Sequence, residues 1–458
     1  MVTQRFNCGN HHLMIPNTLK ISALALALAI SSSSSFGATL QDLSTTLKQA
    51  TKNDPQWAST VHGYHASKES IGIFSAGLKP QVSLSAEVSR ENGYLNGSGE
   101  NRYNQETYIA TVVQPLFRLD RWHNHQKGNA TEQRIDAGFI ANQQAFYMRV
   151  VKTYLDVLRS NENLQFRNAE KAAIKRQLEQ TVQRFNVGLI ANTDVQEAKA
   201  AYDISSVQQI IAEQDLALTL QNLETLTGAP IENVASLQAN APITPPSPQD
   251  ITQWVETALT NSPVIAVALH AKDIAQSEYK SKRAVHMPTL DLIGSYVARD
   301  TSDESDTSPG DLSSSSVSIK LEIPIYSGGS ISAERRQAKQ LQLQAEDNYN
   351  LRKREVIQNT RNLYRVVNTD VARVSAQNQS IHSAEEALKA TEAGYDAGTR
   401  AIIDVLTAQQ ALYGAKRDYA NARYDYFFDF LQLKQTAGTL NSDDLAHINQ
   451  WLVPQTAQ

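Results

Sequence analysis

The sequence predicts a membrane β-barrel joined to a long α-helical coiled-coil barrel, internally duplicated, with four strands per chain that copies must pool, giving eight from a dimer or twelve from a trimer. Three observations carry this expectation. A unit of about 210 residues occurs twice, each copy holds two stretches of period-2 alternation, and each second stretch leads into a long helical pattern without proline.

Composition narrows the alternatives first. The 458 residues carry 42 Lys+Arg against 47 Asp+Glu, a net charge of −5, with no Lys/Arg block. Such a balance argues against a nucleic-acid partner, whose phosphates require a basic patch. No run of 18 or more apolar residues is available for a transmembrane helix, whereas β-barrel strands are short, alternating and nearly invisible to hydropathy. The single cysteine, Cys8, leaves no disulfide framework and no cysteine-rich metal site. Ile21 to Ile30 is apolar, follows Lys20 and precedes SSSSSFGA, which reads as a secretory signal peptide over residues 1–38, with Met14 as an alternative start. With no cysteine directly after the apolar run, no lipid anchor is expected.

The repeat places the rest. Asn53-Asp54-Pro55 answers to Asn261-Ser262-Pro263, and Pro80 to Pro288, both at an offset of 208. Gln114-Pro115-Leu116-Phe117 answers to Ile323-Pro324-Ile325-Tyr326 at 209, and Phe185-Asn186-Val187-Gly188 to Tyr395-Asp396-Ala397-Gly398 at 210. The first structural repeat is therefore read as 39–248 and the second as 249–458, linked by the Pro-rich stretch Ala241 to Pro248. In the first, Val82, Leu84, Ala86 and Val88 alternate with Ser83, Ser85, Glu87 and Ser89, which predicts a strand at about 81–89, with a weaker one at 107–114. The second repeat has the pattern at about 289–298 and 317–323. Polar loops, Arg90 to Glu106 and Arg299 to Ser316, join each pair.

Long helices follow, from Leu119 to Asn186 and from Ser330 to Ala397, with shorter ones at Gln41 to Lys79, Thr193 to Thr227, Ile251 to His286 and Asp404 to Thr439. Tyr147, Val151, Tyr154 and Leu158 fall on one helical face. Helices of roughly 100 Å must pack lengthwise. A lone four-stranded sheet cannot close in a membrane, where each unsatisfied backbone group costs several kcal/mol and the smallest barrels use eight strands. Copies must therefore pool their strands.

The segments Gln183 to Gln196 and Ala393 to Leu406 resemble the paired helix-turn-helix signatures of the TolC family of outer-membrane efflux proteins. His286 to Leu292, Leu321 to Gly329 and Tyr419 to Tyr426 are similar to that family too. The resemblance implies a homotrimer whose strands are pooled into a 12-stranded trimeric barrel in the outer membrane, with an α-helical tunnel through the periplasm. It would dock to a periplasmic adaptor (membrane fusion) protein and an inner-membrane transporter of the RND, ABC or MFS type, and serve multidrug efflux and type I protein secretion. It also implies that Arg400 and Tyr395 restrain Asp194, beside Thr193, in a latch, and that Asp404 forms an entrance constriction whose second family aspartate is replaced by Thr407. Gly188 and Gly398 are the turn glycines.

On residues alone, Asp404 and Thr193 read as helix caps. His123 and His125 face different ways on a helix and make poor joint metal ligands. Asp303, Glu304 and Asp306 read as a solvated acidic loop, and Trp122, Phe117 and Tyr326 as candidates for an interfacial aromatic belt. No phosphate loop or nucleophile–base spacing is present, so no cofactor and no enzymatic activity are expected. The competing class is a trimeric coiled-coil surface or adhesin protein with a pooled membrane anchor. That architecture places one anchor at the C-terminus, whereas here two strand pairs lie midway in each repeat.

Overall fold

A computed structural model describes residues 41–95, 99–231, 233–303 and 312–453. The expected signal peptide, with Cys8 and Met14, and the acidic residues Glu304 and Asp306 lie outside the described residues. In chain order the first repeat holds α1 (Leu43–Asn53), α2 (Pro55–Lys68), α3 (Ser70–Ala76), β1 (Gln81–Leu95), β2 (Gly99–Phe117), α4 (Leu119–Asn186), α5 (Asn192–Thr227) and β3 (Ser236–Leu237). The second holds α6 (Ile251–Asn261), α7 (Pro263–Ala284), β4 (Thr289–Asp303), β5 (Leu312–Glu322), α8 (Ser330–Asp396), α9 (Ile402–Thr436), α10 (Ser442–Asn449) and β6 (Leu452–Val453).

The four long strands form one antiparallel sheet in the order β1-β2-β4-β5. Register aligns Val82, Val112, Gly294 and Val317 across it, and Leu84 with Ala110 and Tyr296, so the apolar members of each alternation share one face. Its large side chains are uncovered: Val112 is 43% exposed, Val82 74% and Val317 80%. Among the described residues, no strand lies beside the outer edges of β1 and β5. Pro115 sits at a register shift in β2, where a missing N–H is tolerated. The strands extend beyond the expected 81–89, 107–114 and 289–298, because polar residues such as Arg90, Asn104 and Thr301 continue the ladder by backbone pairing alone. Much of each expected polar loop is therefore strand.

Two of the helix breaks that depart from expectation fall where a proline starts a new helix. Residues 41–79 contain three helices: Asp54 breaks the first and caps the second by accepting from the N–H groups of Gln56 and Trp57, with Pro55 in the first turn. Ser262-Pro263 divides α6 from α7 with the proline again in the first turn, though the Ser262 side chain makes no cap hydrogen bond. The helix α4 is 68 residues and α8 is 67, each about 100 Å long at the standard rise. α4 lies against α5 of its own repeat and against α7 and α9 of the other.

The main core gathers midway along the long helices. Tyr154 and Leu158 of α4, Tyr424 and Leu431 of α9, Leu43 of α1 and Leu445 of α10 are fully buried together. Tyr154 donates from its hydroxyl to the carbonyls of Ala235 at 2.9 Å and Gln41 at 3.2 Å, tying the β3 segment and the chain before α1 to the wall. Burial pushes its hydroxyl pKa up. Neither α10 nor the β3–β6 pair was expected from the sequence. Nearby, three carboxylates meet two guanidiniums: Arg159 pairs with Asp425 at 2.6 Å, and Arg373 with Asp425 at 2.8 Å and Asp370 at 3.1 Å. Asp370, only 4% exposed, also hydrogen-bonds Asp429. Burial first, then the neighbouring carboxylates, push the Asp370 carboxyl up to about 6 and raise that of Asp429.

Candidate functional site

The α4–α5 and α8–α9 connections are the same turn built twice. Gly188 (φ +78°) and Gly398 (φ +76°) follow the ends of the long helices in the left-handed region, where a side chain strains the backbone. Gly188 N–H donates to Phe185 O and Leu189 N–H to Arg184 O; Gly398 N–H donates to Tyr395 O and Thr399 N–H to Gly394 O. Both pairs are the crossed hydrogen bonds that satisfy the last carbonyls of a helix.

On this shared frame the side chains differ. Thr193 and Asp194 lie in the first turn of α5, but the residue that precedes the helix is Ala191, with no side-chain cap; the Thr193 hydroxyl instead donates to Asp194 Oδ1 at 3.3 Å. The expected Thr193 cap is not formed, because α5 starts one residue earlier, at Asn192. Asp404, third in α9, does serve the helix end: its Oδ2 accepts the Ala401 N–H at 3.3 Å. Arg400 extends from the turn and places Nη1 3.8 Å from that same Oδ2.

Tyr395 is 8% exposed, packed with Ile174, Ala198, Ile402, Val405 and Leu406 from α4, α5 and α9. Its ring carries the Arg184 guanidinium 4.7 Å from the centroid, and Arg184 also pairs with Asp396. The hydroxyl of Tyr395 is buried without a hydrogen-bond partner, beside a cleft of about 330 Å³ lined by Arg176, Gln180, Asp396 and Gln409, whose Oε1 is unpartnered as well. Leaving such a group unpaired costs about 1–3 kcal/mol. The structure thus brings Arg400 to Asp404 and Thr193 to Asp194; among the described residues of one chain, neither Arg400 nor Tyr395 contacts Asp194 by a hydrogen bond or ion pair. Sequence reasoning missed Arg184, whose stacking depends on the register between α4 and α8. Its spacing of two residues before Asn186, opposite Asp396 in the repeat, was the available signal.

At the strand end of the molecule Phe117, Trp122 and Tyr326 are all exposed, next to the uncovered apolar face. Among the described residues no group of three or more His, Cys, Asp or Glu is arranged to hold a metal, and no helix is long and apolar enough to cross a membrane, which says nothing of a β-barrel.

The family model described as outer membrane efflux protein matches residues 46–229 and 254–439. The chain is 32% identical over 417 residues to the Outer membrane protein TolC of Vibrio cholerae serotype O1, covering 90% of this chain and 94% of that protein. It is 28% identical over 405 residues to the Alkaline protease secretion protein AprF of Pseudomonas aeruginosa, covering 86% and 84%. Among solved structures CusC superposes with a TM-score of 0.76 over 87% of this chain and 92% of that one; at 16% identity this likeness shows the fold. A family match over both repeats and a relative spanning nine-tenths of the chain make this chain a member of the outer membrane efflux protein family, an export channel of the outer membrane.

Proposed function

We propose that three copies of this chain pool their strands into a closed 12-stranded barrel above a helical tunnel, and that the paired turns form a latch at its periplasmic entrance. The observation that carries the assembly is the sheet: its apolar face is uncovered, and among the described residues both its edges are open. A chain with an apolar face of this kind is completed by lipid on that face and by further copies on its edges. The apolar alternation Val82 to Val88 spans roughly 20 Å, which suits the outward band of a membrane barrel.

The unpartnered hydroxyl of Tyr395 and the exposed, movable Arg400 support the latch. In the closed entrance they hold Asp194, with Thr193 beside it, and Asp404 rings the opening. Because the Arg400 contact is a partly exposed ion pair of about 0.2–1 kcal/mol, three copies make a lock that a docking partner overcomes. A periplasmic adaptor and an inner-membrane transporter of the RND, ABC or MFS type fill that role and supply the energy. The secretion named for the Pseudomonas relative supports protein export alongside efflux of small molecules. Conductance of the purified oligomer in planar bilayers tests the latch: Arg400→Ala and Tyr395→Phe each raise resting conductance, and unchanged conductance in both defeats it.

A further inference from the structure

The four long strands meet the helices at one end of the sheet, and positive charge collects there. The ten residues on the helix side of each strand, 71–80 before β1, 118–127 after β2, 279–288 before β4 and 323–332 after β5, contain seven Lys or Arg and one acid, Asp120. That is a net of +6 in a chain whose total is −5. The hairpin segments at the other end of the strands, 90–106 and 299–312, hold three Lys or Arg and eight Asp or Glu. Four of the seven cations are held in place: Arg118 pairs with Asp120 and Asp291, Lys127 with Glu278, Lys282 with Glu334, and Arg121 donates to the Gly77 carbonyl. Among the described residues Lys79, Lys280 and Arg283 are exposed and enter no ion pair, and neither do Arg335 and Arg336 one turn further along α8.

The apolar band ends at the same level. The alternation of Val317, Ile319 and Leu321 runs on past β5 to Ile323 and Ile325, all of them exposed, and Phe117, Trp122 and Tyr326 are exposed within five residues of a strand end. Aromatic rings sit at the border of the hydrocarbon core, and the lipid phosphates lie just beyond them. Ten helical residues rise about 15 Å, and long basic stems reach back toward the interface, so the collar overlaps a headgroup layer roughly 5–8 Å deep. We propose that this collar binds anionic phospholipid headgroups of the leaflet on the helix side, with Lys79, Lys280 and Arg283 as the cations that contact phosphate. The inference rests on the reading that the sheet lies in the membrane. The cations are spread over three of the four chain passages, which suits a surface of many phosphates rather than one small anion in a pocket. A zwitterionic headgroup carries its own ammonium and would leave the positive excess unmatched.

Lipid retention by the intact oligomer tests this. Oligomer purified in mild detergent is mixed with equal amounts of dioleoyl phosphatidylglycerol and dioleoyl phosphatidylethanolamine, and the lipids that stay bound are measured by native mass spectrometry. The expected result is enrichment of phosphatidylglycerol by about fivefold, the factor that one basic residue near an anionic surface contributes. The triple variant Lys79→Gln, Lys280→Gln, Arg283→Gln loses the enrichment, whereas Lys79→Arg, Lys280→Arg, Arg283→Lys keeps it. Inorganic phosphate in large molar excess leaves it in place; its loss there would show that a free anion is what the collar recognises and would overturn lipid binding. Equal retention of the two lipids by the wild type overturns the proposal whether or not the variants assemble, as does enrichment that survives in the glutamine variant. Wild-type chains that retain neither lipid nor detergent overturn the membrane reading of the sheet as well.

Discussion

α4 and α8 are the same helix in two repeats, 68 and 67 residues long, yet they are buried very differently. α4 buries a continuous block that includes Val150, Val151, Tyr154, Leu155, Val157 and Leu158; α8 buries only scattered residues such as Val356, Thr360 and Val367, and leaves Leu341, Leu343 and Leu351 exposed. The sheet repeats this contrast: β2 lies between neighbours while β5 is an edge. Duplication preserved length and period, and position in the wall decided which copy is satisfied within one chain. Contiguous exposed apolar surface of this kind marks contact with a protein or a membrane, which supports the proposed pooling of copies.

The sharpest way to break this comparison is a charge on the uncovered face of the edge strand. Ile319→Arg places a cation in the apolar band at about 2–4 kcal/mol in each copy, enough to abolish the membrane-inserted oligomer on semi-native gels, whereas Ser318→Arg on the opposite face assembles. Within the wall, Leu158→Ala costs about 3 kcal/mol by denaturant unfolding. Leu341→Ala on α8 costs under about 0.5 kcal/mol in dissociated chains but shifts the oligomer's dissociation to lower detergent or denaturant. Equal effects from both would erase the distinction between satisfied and waiting helices.

The Asp370–Asp429 contact of α8 with α9 sharpens it through pH. With a folded-state pKa raised from 3.8 to about 6, Asp370 binds more protons folded than unfolded, so stability falls as pH rises from about 4 to about 6. Asp370→Asn removes that fall: its thermal midpoint matches wild type near pH 4 and exceeds it at pH 7 by the equivalent of about 1–3 kcal/mol. The turns test where the two repeats agree. Gly188→Ala and Gly398→Ala each cost about 1 kcal/mol, and by similar amounts, because the two backbones match even where the side chains do not.

Much of this architecture was legible in the sequence, for identifiable reasons. The bounds of α4 were readable because a proline-free helical period meets Leu119 on one side and Gly188 on the other. The presence of four long strands followed from alternation, but their length did not, since the ladder through Arg90 and Asn104 is held by backbone groups that carry no side-chain pattern. The breaks at Asp54-Pro55 and Ser262-Pro263 were visible as cap-and-proline pairs and were used only as landmarks of the repeat. The Asn441 and Asp444 capping pair of α10 was equally visible in a segment too short for periodicity. At the turns, the positions of Gly188, Gly398, Asp194 and Arg400 were readable, whereas the stacking of Arg184 on Tyr395 depends on how two helices distant in sequence align.

The account depends on the chain being one share of a larger wall. Native mass spectrometry of the purified protein in mild detergent tests this directly: the account predicts an assembly of three chains that retains bound detergent or lipid. Single chains that shed detergent and stay soluble would contradict it.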